Sequence, residues 1–216
     1  MTGLLVVTAV PAEAEAIRVG LADPTVAVLP VGVGPAVAGA ATARLLTLAE
    51  SAGRPYRAVV SAGVAGGFAD RVTVGGTVIG TRAVAADLGA ESPEGFIPID
   101  ELGMPAELLG VGQAVDADAT LLTALHTALP AATVGPVLTV STVTGTAAST
   151  DELLRRYPGA VAEAMEGYGV AVAASQAGVP FVELRTVSNP IGPRDRGAWR
   201  MRAALTALTT AAFALR

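Results

Sequence analysis

The thirty residues from Ala160 to Asn189, AVAEAMEGYGVAVAASQAGVPFVELRTVSN, leave the backbone few choices. GAVAEAM is a short apolar run, EGYGVAVAASQAG is rich in small residues and stops at Gly178, and PFVELRTVS is β-branched and follows Pro180. The pattern predicts strand, helix, strand. Glu166 stands at the turn into the helix, and Asn189 closes the second strand just before Pro190, where regular structure is expected to end. A carboxylate and an amide at two strand ends form a polar pair in the region where open α/β sheets gather ligands. Taken singly, each is also an ordinary turn residue.

Elsewhere short β-branched runs alternate with helical segments, which predicts an α/β class and one domain over residues 1–216. Gly3–Ala9 reads as a buried strand and PAEAEAIRVGL as a helix with Pro11 in its first turn. Glu13 then sits at the helix start, where the macrodipole alone would favour a carboxylate, while Glu15 points elsewhere round the helix. TVAVLPVG predicts a second strand, followed by a turn at Gly32–Gly34 and a helix from Pro35. The third strand begins at Val59 and is expected to end in the glycine cluster Gly63–Gly67. The G-x-G at Gly32–Gly34 lacks the spacing and the following acidic residue of a dinucleotide site.

GTVIGTRAVA predicts another strand. The acidic stretch ADLGAESPEGFIPIDELGMPAELLG shows little periodicity, and Phe96 and Ile97 in its middle suggest a lid or a subunit contact. A helix carrying His126 is expected to be capped near Asp116, and the helix in ASTDELLRRYP at Ser149 or Thr150. Between them TVGPVLTVSTVTGT predicts a strand with a threonine-rich end, and IGPRDRGAW leads into a C-terminal helix.

Composition narrows the chemistry. The chain has no cysteine, one histidine and no lysine, because all fourteen basic residues are arginine. Thiolate metal sites, Ser-His-Asp hydrolysis and Schiff-base chemistry are therefore disfavoured, and neither a metal nor a cofactor is expected. A net charge of −5 without a basic cluster argues against a nucleic-acid partner. Although 52% of residues are hydrophobic, no apolar run approaches the roughly 18 residues of a membrane span. The expected setting is the cytoplasm.

The segments A-V-P-A-E, G-V-G-P, S-A-G-V-A-G-G, A-M-E-G and R-T-V-S-N occur in this order along nearly the whole chain. Together they resemble the purine nucleoside phosphorylase and methylthioadenosine nucleosidase superfamily. Within it, ADLGAESPEGF, TVSTVTGT and SNPIGPRDRGAW look most like the futalosine-hydrolysing branch. The resemblance implies a three-layer α/β/α fold with a central mixed, twisted sheet, a nucleoside substrate and a homodimer or larger assembly. It implies cleavage of futalosine by water to hypoxanthine and dehypoxanthine futalosine, a step of menaquinone biosynthesis, with a purine nucleosidase or phosphorylase acting on inosine- or methylthioadenosine-type nucleosides as the alternative.

Residue by residue, the resemblance makes Met165 and Glu166 the ribose-binding pair and Glu13 the group that orients and deprotonates water. Arg185 helps hold that water, and as a charge on a buried strand it needs a partner in any case. Asn189 falls where the nucleosidases carry the aspartate that protonates the leaving purine; with Thr144, Gly145 and Ser188 it would bind the base. Arg194 and Phe96 are candidates for the substrate's carboxyphenyl tail. The chain departs from the pattern at Ala164 and Val64, where the nucleosidases carry glutamate and serine, and at Ser61, where phosphorylases carry a phosphate-binding arginine. Without that arginine, water is the expected nucleophile.

Overall fold

A computed structural model describes residues 3–21, 23–105 and 108–216, with the Arg196 side chain left aside. Strand β1 (Leu4–Thr8) is an interior strand of the sheet, and all five of its residues are buried. It pairs in parallel with β2 (Ala27–Pro30) and β3 (Ala58–Gly67). The remaining strands are β4 (Thr77–Ala85), the hairpin β5 (Gly89–Ser92) and β6 (Gly95–Pro98), then β7 (Ala114–Asp116), β8 (Thr133–Thr139), β9 (Ala162–Ala164) and β10 (Phe181–Pro190). The main sheet runs β10-β4-β8-β9-β3-β1-β2, with β7 on β4. Parallel pairs dominate; β10/β4, β3/β9 and β4/β7 are antiparallel, so the sheet is mixed as expected. Because β10 also pairs with β3, strands β3, β10, β4, β8 and β9 close into a ring.

Helices cover both faces, and strand alternation decides which. Leu4 and Val6 of β1 pack with α1 (Pro11–Leu21), α3 (Ala119–Ala128) and α6 (Met201–Ala211) through Ile17, Leu125 and Leu208. Leu5 and Val7 face the other way, onto α2 (Pro35–Ser51) and α5 (Gly167–Gln176) through Ala38, Leu46 and Val170. The remaining helix, α4 (Ala147–Arg156), packs Leu153 with Leu138 of β8 and Ala160.

Several local expectations are revised. The glycine cluster does not end β3: Gly63–Gly67 continues the strand, pairing with β10 on one side and β9 on the other. The acidic stretch, apart from Ala106 and Glu107, which lie outside the described residues, contains the β5–β6 hairpin and a short 3-10 turn. Its strands are only four residues each, too short to show a period. The α3 cap is Asp118, whose side chain accepts from the Thr120 and Leu121 amides, and the α4 cap is Thr146. Finally, β10 runs through Asn189 and Pro190, with a register shift between Val187 and Asn189. Proline is tolerated there at the strand's end, and the bulge changes the facing of the residues beside it.

Candidate active site

Residues at the C-terminal ends of β3, β9 and β10 and in the segments after β1 and β9 border a cavity of about 420 Å³. Its lining includes Glu13, Val64, Glu163, Met165, Glu166, Ser188, Asn189 and Trp199. A smaller cavity of about 100 Å³ adjoins it, sharing Gly66, Val143, Glu163, Asn189 and Trp199 and adding Thr144 and Arg194.

Glu13 is in the first turn of α1 and only 3% exposed. Its Oε2 accepts from the Ala9 and Val10 amides at 2.9 and 3.1 Å, reaching back over the helix start as a capping carboxylate does. Its Oε1 accepts from the Val64 amide of β3 at 2.9 Å. Three backbone donors thus fix the carboxylate and leave one of its roughly four lone-pair directions for another donor. Close approach depends on Gly63: a Cβ there would come within 2.6 Å of Glu13 Oε1 and 2.9 Å of Arg185 Nη1. Glu15, by contrast, is exposed and pairs with Arg18 on the outside of α1.

Glu166 precedes α5 and accepts from the Gly34 amide at 3.3 Å. Its other oxygen lies 3.5 Å from Arg185 Nη1. Arg185 is 1% exposed and reaches Glu183 Oε1 through Nε at 2.8 Å and Ser61 Oγ through Nη2 at 3.1 Å. Burial alone would depress this guanidinium, but Glu183, Glu166 and Glu13 around it outweigh burial and raise it further. The expected partner of Arg185 is thus a set of carboxylates. Glu183, fully buried beside the first residue of α5, Gly167, was not singled out by the sequence, and burial pushes its carboxyl up against the pull of Arg185.

Asn189 is half-buried. Its Nδ2 donates to the Pro190 carbonyl at 2.9 Å, and its Oδ1 accepts from Ser188 Oγ at 2.8 Å. One amide hydrogen and one carbonyl lone pair remain to be used. Met165 is half-buried in the cavity wall beside Glu166. Thr144 does not face the larger cavity; it lines the smaller one and holds Glu163, donating from its amide to Oε1 at 2.8 Å and from its hydroxyl to Oε2. Gly145 packs near the Arg194 side chain. Arg194 is exposed, with its guanidinium 5.8 Å from the Trp199 ring centre. Phe96 is away from both cavities, on the β5–β6 hairpin, with Arg156 4.3 Å from its ring centre.

Glu163 is the second residue that the sequence reading passed over. It is 5% exposed on β9 and lines both cavities; burial raises its carboxyl above the ordinary range, although the Thr144 hydrogen bonds oppose the shift. The signal was present. Glu163 in AVAEAM and Glu183 in FVELR are charges inside apolar strands, as Arg185 is, and all three need partners.

The Phosphorylase superfamily model matches residues 6–214, nearly the whole chain. The chain belongs to the phosphorylase superfamily. It is 47% identical to futalosine hydrolase of Streptomyces coelicolor over 231 residues, covering 96% of this chain and 92% of that protein. The futalosine hydrolase of Acidothermus cellulolyticus is also 47% identical, over 225 residues covering 98% and 89%. Within the superfamily, the chain's place is among the futalosine hydrolases. The fold matches a Colwellia psychrerythraea 5'-methylthioadenosine/S-adenosylhomocysteine nucleosidase in complex with adenine, at a TM-score of 0.82 and 20% identity over 99% of this chain and 94% of that one.

Proposed function

We propose that this chain hydrolyses the N-ribosyl bond of futalosine, releasing hypoxanthine and dehypoxanthine futalosine, the step of menaquinone biosynthesis that the family resemblance implies. The observation that carries hydrolysis over phosphorolysis is the charge of the larger cavity. Among the described residues, its ionisable lining consists of the carboxyl groups of Glu13, Glu163 and Glu166, with no arginine. The buried cation behind it, Arg185, is already engaged by Glu183, Glu166 and Ser61. A phosphate dianion entering that space meets like charge, whereas water does not.

In the mechanism we favour, cleavage builds positive charge on the ribosyl carbon and negative charge on the departing base. Glu166 accepts from ribose hydroxyls beside Met165 and, with Glu13, lends negative potential to the sugar. Glu13 uses its spare lone pair to orient water and take its proton, a contribution of roughly 10² to 10⁴ in rate. Arg185, paired with Glu166, helps hold that water beside Glu13. Asn189, supported by Ser188, presents its free amide hydrogen to O6 of the base and its carbonyl to N7 once that nitrogen is protonated; the amide itself has no proton to give. Thr144 and Gly145 complete the base end. Arg194 is offered as the partner of the substrate's carboxylate, and Phe96 as a lid or neighbour contact.

We place this activity in the cytoplasm, in keeping with a chain that has no cysteine. We also propose a homodimer or larger assembly, for which the exposed Val33 in the cavity wall and Val37 in the first turn of α2 offer apolar surface. Incubation with futalosine, inosine and methylthioadenosine, with and without phosphate, tests the reading. Futalosine should be consumed preferentially and independently of phosphate; a sugar 1-phosphate product would overturn the hydrolytic assignment.

A further inference from the structure

A buried carboxyl that neither activates water nor binds ribose requires an explanation, and Glu163 is such a group. The ion pairs among the described residues leave it out. Its only hydrogen-bond donors among them are the amide and hydroxyl of Thr144. Those two donors use about half of a carboxylate's lone-pair directions. The remainder belong to an oxygen pair that borders both cavities.

Strand register places it opposite Asn189. Gly66 of β3 pairs with Glu163 of β9 on one side and, across the bulge, with Asn189 of β10 on the other. The amide and the carboxyl therefore flank a residue without a side chain. Two strand spacings separate their backbones, roughly 10 Å. That is room for a flat bicyclic ring with a hydrogen bond at each end, and Trp199 and Val143 border the same space.

We infer that Glu163 reads the base: its carboxylate accepts from N1–H of a 6-oxopurine whose N7/O6 edge is held by Asn189. This rests on the nucleoside reading proposed above. The chemistry distinguishes the two purine classes at the atom Asn189 does not reach. A 6-oxopurine carries hydrogen on N1, whereas a 6-aminopurine presents a bare lone pair there, and a carboxylate repels it. Thr144 is a positioning residue, locking the carboxyl so that it can discriminate. The contact exists in ground and transition states alike, so its loss falls on KM at least as much as on kcat.

The direct test uses hypoxanthine and 1-methylhypoxanthine, which differ at N1 alone, titrated calorimetrically into wild type and Glu163→Met. The variant keeps side-chain length without an acceptor oxygen. Wild type should favour hypoxanthine by about 5-fold to 150-fold, the range of a well-placed base contact. In the variant, hypoxanthine binding should fall by a similar factor while 1-methylhypoxanthine binding changes little. Equal losses for both ligands, or no preference in wild type, would overturn the inference. Should Glu163→Met not fold, Glu163→Gln keeps the shape and carries both a donor and an acceptor. Its kcat/KM ratio should then move toward the 6-amino analogue of futalosine by about 5-fold to 150-fold; an unchanged ratio would count against the assignment. Failure of the functional reading looks different: wild type would release no hypoxanthine from futalosine even though the N1–H preference in base binding persisted.

Discussion

Replacing Glu13 by glutamine changes one oxygen to an NH₂ group in a setting where all three protein partners of the carboxylate are donors. Whichever way the amide is turned, its nitrogen faces a backbone N–H. With the carbonyl toward Ala9 and Val10, the Val64 amide loses its acceptor; turned over, the Ala9 and Val10 amides lose theirs. Leaving a buried donor unsatisfied costs about 1 to 3 kcal/mol. At this chain length that is a fall of roughly 2 to 12 °C in Tm, since each kcal/mol shifts the midpoint by about 2 to 4 °C. The fold should nevertheless survive, because the α1 core residues Ala14, Ile17 and Leu21 are untouched. The glutamine also cannot take a proton from water, so kcat on futalosine should drop by roughly 10² to 10⁴. Steady-state hypoxanthine release and a thermal melt on the same preparation separate the two effects. A kcat within threefold of wild type, with the stability loss present, would refute the water-activating role.

Other substitutions probe the base end and the pH response. Asn189→Asp should shift the kcat/KM ratio of futalosine to its 6-amino analogue by about 5-fold to 150-fold toward the amino substrate. A protonated aspartic acid there can donate to N7 and accept from the exocyclic amine; an unchanged ratio would leave Asn189 a turn residue. Arg194→Ala should raise KM for futalosine and spare any inosine cleavage; equal effects on both would assign Arg194 to the base end, where it borders the same small cavity as Glu163. Because burial raises the Glu163 carboxyl above its usual 4.5, the folded protein holds that proton more tightly than the unfolded chain. Wild type should therefore lose stability relative to Glu163→Gln as pH rises from about 4.5 through the raised value, and regain it below. Melting curves that stay parallel across that range would show that Glu163 carries no such linkage.

What the sequence revealed depended on whether a residue's role is local. β1, α1, α5 and β10 were legible because their apolar patterns and their Pro11, Gly178 and Pro180 punctuation act within a few residues. The Glu13, Glu166 and Arg185 trio emerged from motif resemblance; in the structure Glu13 and Arg185 approach each other at Gly63, and Glu166 pairs with Arg185. Closure of the ring through the β10–β3 pairing was not legible, since it joins segments more than a hundred residues apart. For the same reason the glycine cluster looked like a stop rather than a strand with partners on both sides. AVAEAM marks Glu163 as a charge in an apolar strand but not what it faces. Its meaning comes from Gly66 and Asn189 on neighbouring strands, a register that no local pattern in AVAEAM encodes.

The central claim is that water, not phosphate, receives the ribosyl group of a 6-oxopurine nucleoside. Mass analysis of the products formed from futalosine in phosphate buffer addresses it directly. The account predicts hypoxanthine and the free sugar, dehypoxanthine futalosine, in equal amounts and at a rate indifferent to phosphate; a phosphorylated sugar, or intact futalosine after prolonged incubation, would contradict it.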